Sequence, residues 1–353
     1  MKQTLLLLLV VFTTHSFSQQ RCGTTERTEH LLQNNKDFTI AKQKVNTETQ
    51  KWIEKNPNFS SKTIITIPVV VHVVYKTTVQ NISDNQIQSQ IDILNEDFRR
   101  LNADASNTPS AFQSVAADCE IEFCLATTDP NGNSTTGITR TSTSQSSFST
   151  NDGVKYSSSG GIDAWNTSEY LNIWVCNLSN SGGGQTLGYA YLPGQQSISW
   201  NAWKDGLVVD FQHFGTTGNA SPSSDGRTPT HEIGHFLGLR HTFCESQSGG
   251  CCDNDDSNVD DTPATDGIYF GTVNTNTNNN TCNDLLYTNI FTSNVLDMDE
   301  NFMAYSRNTW MFSNDQVNEM ISTMNGYRSN LKNSNVTVNC TGIVNDEFVE
   351  LNK

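Results

Sequence analysis

The chain has 353 residues, 35% of them hydrophobic and 17 of them Phe, enough apolar material for one large domain or two ordinary ones. It is acidic, with 37 Asp and Glu against 21 Lys and Arg. No basic stripe interrupts that balance, which excludes the electrostatic footprint of a nucleic-acid-binding protein.

At the N-terminus, Met1-Lys2 precedes the apolar run from Leu5 to Phe12, and Ser16, Phe17 and Ser18 follow. A charged start, a short apolar stretch and a small-x-small exit predict a secretory signal over residues 1–18 and an exported, extracellular protein. The run is too short to span a bilayer, and no later segment has the roughly 18 uninterrupted apolar residues a span needs, so no membrane anchor is expected. Nine cysteines in an exported chain predict disulfides, and the odd count leaves at least one thiol over.

Residues 19–61 are polar, with sparse apolar positions, and read as a pro-segment without a core of its own. From Ile64 to Tyr75 the sequence IITIPVVVHVVY is β-branched and apolar, as a buried central strand would be. Ser83 then caps a helix, with Gln86 at the capping-box position and Ile87, Ile91, Leu94 and Phe98 along one face. Strands are predicted at Glu120–Ala126, Tyr170–Leu178, Leu187–Leu192 and Leu207–Phe214. The Ser-, Thr- and Gly-rich stretch from Thr127 to Gly161 reads as surface loops. A helix is expected from Thr228-Pro229, with the threonine as cap and the proline at the first helical position. Residues 243–299 show little periodicity, many Asn and Asp and several Cys, so crosslinks or ions rather than an apolar core should hold them. A last helix is predicted over Asp315–Met324.

The chemistry concentrates in HEIGHFLGLRH. His231 and His235 are four apart on one helical face and can reach one metal ion. Glu232 is one step round the helix, facing the metal's open position without ligating. Gly238 can take the left-handed conformation that ends a helix, which carries His241 back as a third imidazole. Three nitrogens and one water are the donor set of catalytic zinc, whereas structural sites fill all four positions with protein. Glu232 is then the general base and acid for a zinc-activated water attacking a peptide carbonyl.

This long zinc motif resembles that of the metzincins, and within them the chain is similar to the pappalysins from about Ile67 to Met324. The matching stretches are IPVVVHVVY, SDNQIQSQIDILNEDF, GGIDAW, YLNIWVCNL, HTF, VDDTP and NFMAYS. The resemblance implies an α+β metzincin-like catalytic domain over 62–335. A mixed twisted sheet with helices would form an upper subdomain, irregular loops a lower one, and the active-site helix would lie between them. A tail or linker would follow over 336–353. It implies a secreted bacterial zinc endopeptidase made as a latent zymogen, with protein or peptide substrates and its own pro-segment as inhibitor. Met303 would be the Met-turn floor beneath the histidines, and Tyr305 a second donor to the oxyanion or a swinging zinc ligand.

It further implies structural calcium at VDDTP, held by Asp256, Asp261 and the backbone carbonyls of Val259 and Thr262. Read from its residues alone, that loop is either a calcium site or a solvated acidic loop. A disulfide is implied from the GGC stretch, by Cys251 or Cys252, to Cys282. The family's second bridge in this region should be absent, because Trp310 stands where its cysteine is expected. Cys124 and Cys176 are expected as buried thiols. Cys22, followed by Gly23, would be the fourth zinc ligand of the latent form; the other reading is a disulfide to Cys340. Ripening is expected near Ser61-Lys62. Ala304, Arg307, Asn308 and Thr309 follow the Met-turn where relatives with a basic preference carry an acid, so no such preference is implied. The rival readings are a catalytically silent binding or adhesion module on a metzincin scaffold and a thermolysin-like hydrolase. The first would require loss of Glu232 or a histidine, and the second a downstream Glu in place of His241.

Overall fold

The computed structural model describes residues 22–56, 63–179, 185–195, 202–244, 252, 259–274, 279–287 and 290–340. The signal stretch, the expected ripening site and Asp256 lie outside them.

The central strand is β1 (Ile65–Tyr75). It is covered on both faces, which is why its sequence runs apolar without alternating. The remaining strands are β2 (Ala116–Ala117), β3 (Ile121–Ala126), β4 (Ile138–Ser142), β5 (Leu171–Cys176), β6 (Gly188–Ala190), β7 (Leu207–Asp210), β8 (Phe312–Ser313) and β9 (Val338–Asn339). The main sheet runs β6-β7-β5-β1-β3-β9, with β4 also beside β1. Pairing is parallel except at the two ends, where β6 on β7 and β9 on β3 are antiparallel.

Strand β4 lies in the stretch expected to be loops. Its cause is register: β3 pairs with β1 only up to Val69↔Leu125, and β4 takes over from Val71↔Ile138 to Tyr75↔Ser142. Without it the second half of β1 would leave a row of backbone groups unpaired inside the fold.

The helices are α1 (Thr24–Asn34), α2 (Lys36–Lys55), α3 (Asp84–Phe98), α4 (Arg227–Phe236), α5 (Asn314–Asn325) and α6 (Ser329–Lys332). In α3 the Ser83 hydroxyl accepts the Gln86 N–H at 3.2 Å. The Gln86 side chain does not close the box back onto Ser83. It is buried and donates to the carbonyls of Phe211 and Phe214 at 3.0 and 2.9 Å. Ile87, Ile91, Leu94 and Phe98 pack with Val69, Val71 and Val73 in the main core.

Further expectations are corrected. Helix α4 is capped by Gly226 with φ 75, so Thr228 is already inside it and Pro229 is the third helical residue. Proline is tolerated there because the first-turn N–H groups have no partner within the helix. The pro-segment has no core of its own, as expected. It forms α1 and α2, and Phe38 and Val45 are buried, each such burial worth roughly 1.5–3 kcal/mol. Its sparse apolar residues gain their core from the rest of the chain, with α1 touching β6 and α2 touching α5. Cys124 is not a free thiol but is bonded to Cys340, because β9 pairs along the β3 edge and brings the two Cα atoms to 4.7 Å. That excludes the Cys22–Cys340 bridge. The tail expected from residue 336 therefore begins with a strand of the sheet.

Cys22, Cys119 and Cys176 are buried free thiols. In the loop-built region a disulfide joins Cys252 to Cys282. Buried carboxylates there hold backbone: Asp297 accepts the Thr281 N–H at 3.1 Å and Asp284 the Val295 N–H at 3.0 Å. Trp310 is buried beside Phe112 and Met311.

Candidate metal centre and its cleft

Both ends of α4 are tied down. At the start, the Asp97 carboxylate accepts the Thr230 hydroxyl at 2.8 Å, and Arg227 reaches across to Asp104 at 2.6 and 2.7 Å. One guanidinium serves two carboxylates and spends its short bonds on Asp104, so burial still pushes Asp97 up to about 7. At the finish, Arg328 donates to the Phe236 carbonyl at 2.8 Å, stacks 3.4 Å over the Phe236 ring and bonds Asp205 and the Tyr191 carbonyl. The helix stops at Phe236. Gly238 then takes φ 115, a conformation that a side chain disfavours, and the chain returns to His241.

His231, His235 and His241 converge. The Nε2 atom of His241 lies 3.1 Å from Nε2 of both His231 and His235. On the far side of the rings, Nδ1 of His231 meets the Phe302 carbonyl at 2.7 Å, and Nδ1 of His235 meets the Leu239 carbonyl at 2.7 Å. A carbonyl only accepts, so both Nδ1 atoms carry the proton and both Nε2 atoms present lone pairs. With His241 Nε2 3.1 Å from both of those nitrogens, three imidazole nitrogens face one point where a cation can take all of them. Tetrahedral zinc with bonds of about 2.0–2.1 Å sets its ligands about 3.3 Å apart, so the donor set fits that ion. Cys22 completes it: the four ligand atoms lie within 4.8 Å of one another, and all four residues are buried.

Glu232 lies beside this cluster. Its Oε2 accepts the Thr24 hydroxyl at 3.0 Å and the Cys22 thiol at 3.5 Å. Its Oε1 is buried without a hydrogen-bond partner. Burial pushes the carboxyl up to about 8, against the opposing hydrogen bonds from Cys22 and Thr24. Beneath the helix, a Cβ on Gly234 would come 2.3 Å from the Met303 sulfur, so only glycine lets Met303 close the floor under the histidines. The Tyr305 ring is 4.8 Å from His241 and 5.7 Å from His231, and its hydroxyl donates to the Cys22 carbonyl at 3.5 Å.

The pro-segment crosses the centre along β6, an edge strand. Cys22 lies parallel beside Gly188, the Gly23 N–H donates to the Gly188 carbonyl at 2.9 Å, and the Thr24 hydroxyl accepts the Ala190 N–H at 2.9 Å. A cleft of about 500 Å³ stays open on one side, lined by Leu187, His213, Asp225, Tyr305 and Arg307 among others.

A family profile described as Pregnancy-associated plasma protein-A matches residues 156–325. An extracellular metalloprotease of Verticillium alfalfae is 30% identical over 250 residues, 69% of this chain and 70% of that protein. The chain belongs to the pappalysin family. Mature mirolysin of Tannerella forsythia, solved with a cleaved peptide, is 46% identical with a TM-score of 0.67 over 77% of this chain and 97% of that one. A promirolysin mutant of the same organism is 40% identical with a TM-score of 0.73, over 89% and 97%. The first curated relatives match over a smaller share. An extracellular metalloprotease of Arthroderma gypseum is 27% identical over 210 residues, so the chain spans 59% of that relative's length.

In this pappalysin, the structure brings together His231, Glu232, His235, His241, Met303, Tyr305 and Cys22. Val259, Asp261 and Thr262, expected as calcium ligands, lie elsewhere. There the Asp261 carboxylate accepts the Ser313 hydroxyl at 2.6 Å and the Asp315 N–H at 2.9 Å. Sequence reasoning missed Thr24, which holds the candidate base, and the salt bridge from Arg27 to buried Asp152. The threonine stands in the same RCGT stretch that singled out Cys22, but nothing local says that its hydroxyl meets a residue in α4. Among the described residues, no helix is long and apolar enough to cross a membrane.

Proposed function

We propose that this chain is the latent precursor of a zinc-dependent endopeptidase that hydrolyses peptide bonds at the His231, His235 and His241 centre, secreted by way of the signal at residues 1–18. The observation that carries the reading is the set of imidazole lone pairs converging beside a buried carboxylate with one unpartnered oxygen.

Zinc, when bound, supplies Lewis-acid polarisation of a carbonyl and acidifies a water molecule. The protein supplies the rest. Glu232, once Thr24 and Cys22 withdraw, accepts the proton of a water where the thiol now stands and returns it to the leaving amide nitrogen. Tyr305, which now donates to the Cys22 carbonyl, donates to the substrate carbonyl oxygen as charge develops there. The β6 edge, which now holds Gly23 and Thr24, pairs with an extended substrate. Met303 and the carbonyls of Phe302 and Leu239 fix the imidazoles.

Latency in this reading is direct occupation. Cys22 fills the fourth position, Thr24 holds the base, and cleavage near Ser61-Lys62 releases both. Calcium at Asp256, Val259, Asp261 and Thr262 supports the lower region. What favours it is a cluster of Asp260, Asp261 and Asp315 with no lysine or arginine ion-paired to it among the described residues. Burial and the Asp315 charge push Asp261 up to about 7.

The test is Glu232→Ala. Zinc content and melting temperature should stay near wild type while peptide hydrolysis by the ripened enzyme falls by about four orders of magnitude or more. Retained hydrolysis in a zinc-replete Glu232→Ala protein would remove the mechanism.

A further inference from the structure

The cleft and the pro-segment divide β6 between them. The open cleft reaches Gln185 and Leu187, before the strand, whereas Arg27 seats in a pocket of contacting side chains beyond its other end, at Tyr191, none of which lines that cleft. In that pocket Nη1 of Arg27 donates to the Thr150 carbonyl at 2.6 Å. Nη2 donates to the Asp152 carboxylate and to the Tyr191 hydroxyl. The guanidinium carbon stands 4.6 Å from the centroid of the Tyr191 ring and 5.7 Å from that of Tyr189.

Every group that receives Arg27 lies in the chain after the expected ripening site, and Asp152 and the two tyrosines have contacts independent of Arg27. Asp152 is 1% exposed and accepts the Tyr189 and Tyr191 hydroxyls at 3.2 and 2.7 Å. Lys155, fully buried, lies 3.5 Å from Asp152 and donates to the Lys204 carbonyl at 2.7 Å; Lys204 itself lies 3.7 Å from Asp152. Burial works to raise the Asp152 carboxyl, but Lys155 and Arg27 outweigh it and hold the group below its usual range. The Asp152 carboxylate and the two phenols thus have partners of their own besides Arg27.

Its selectivity comes from charge and shape together. Asp152 and Arg27 still attract each other with Lys155 and Lys204 nearby, each shifting the other toward its charged form. A flat guanidinium gains a carbonyl on one nitrogen, a carboxylate and a phenol on the next, and two aromatic faces, which is the fork geometry that separates arginine from lysine. We propose that this pocket, vacated by Arg27 on ripening, is a substrate subsite that takes an arginine side chain. Arg27 is then a substrate-like side chain in a pro-segment that also blocks the metal. This rests on the peptidase reading above.

The test uses ripened full-length protein and pairs of peptides identical except for arginine or citrulline, which keeps the shape and loses the charge. The pair is moved in turn through the residues on each side of the scissile bond. At one position kcat/KM should favour arginine over citrulline by about tenfold or more, and lysine should not match it. Asp152→Asn should bring the ratio of arginine to citrulline cleavage close to one. Tyr191→Phe, which keeps the ring and loses the hydroxyl, should lower the ratio in part and serves where Asp152→Asn fails to fold.

A second measurement is the inhibition constant of a peptide spanning residues 22–30, with arginine or citrulline at position 27. Equal kcat/KM at every position, or equal inhibition by the two peptides, overturns the proposal. If no peptide is cleaved but the arginine form of 22–30 still binds more tightly than the citrulline form, the pocket stands and the peptidase reading falls.

Discussion

The Thr24 hydroxyl donates to Glu232 Oε2 at 3.0 Å and accepts the Ala190 N–H at 2.9 Å, so one pro-segment side chain links the candidate base to the β6 edge. Latency thus acts on the base as well as on the metal. A hydrogen bond of this kind contributes about 0.5–1.5 kcal/mol, so Thr24→Val should loosen the block without touching the thiol. The precursor should ripen several-fold faster, followed by N-terminal sequencing over time. An unchanged time course would mean that Cys22 alone carries the block.

Cys22 tests the other half. X-ray absorption at the zinc edge of the intact precursor should report three nitrogens and one sulfur, and Cys22→Ala should lose the sulfur and show early activity. A zinc shell without sulfur in the wild-type precursor would end the thiol-ligand reading while leaving the peptidase reading in place.

Calcium chelation under conditions that spare zinc should lower the melting temperature and open residues 243–299 to added protease. Asp261 ties this region to the cap of α5 through Ser313 and the Asp315 N–H. Loosening it should therefore also expose the start of that helix. An unchanged digest pattern and melting temperature would remove calcium from the account.

His72 gives a pH signature away from the metal. It is fully buried in β1, bonded to Asn172 at 2.9 Å and Thr139 at 2.7 Å, and burial lowers its pKa from 6.5 to about 4. The unfolded chain therefore binds a proton between those values that the folded protein refuses. The stabilisation is complete above pH 6.5 and is lost as pH falls toward 4, about 3 kcal/mol in all. His72→Gln should flatten that slope in chemical denaturation, whatever it does to stability at neutral pH. A wild-type slope in the variant would assign the pH dependence to other groups.

The zinc motif was legible because its chemistry is local. Helical periodicity alone sets His231 and His235 on one face, and Gly238 alone frees the turn that returns His241. The apolar run of β1 was legible for a similar reason, since a strand buried on both faces has no need to alternate. Met303 and Tyr305 came from resemblance, because nothing in a short stretch says which helix a methionine will lie beneath.

What only the tertiary structure decided depends on meetings across long separations. Cys124 pairs with Cys340 because β9 finds the open edge of β3, and β4 exists because half of β1 needed a partner. The pro-segment folds because its few apolar residues borrow a core from the domain that they inhibit. Thr24 on Glu232 and Arg27 on Asp152 belong to the same class. Each polar group in those pairs is unremarkable in sequence, and only burial against its distant partner gives it a role.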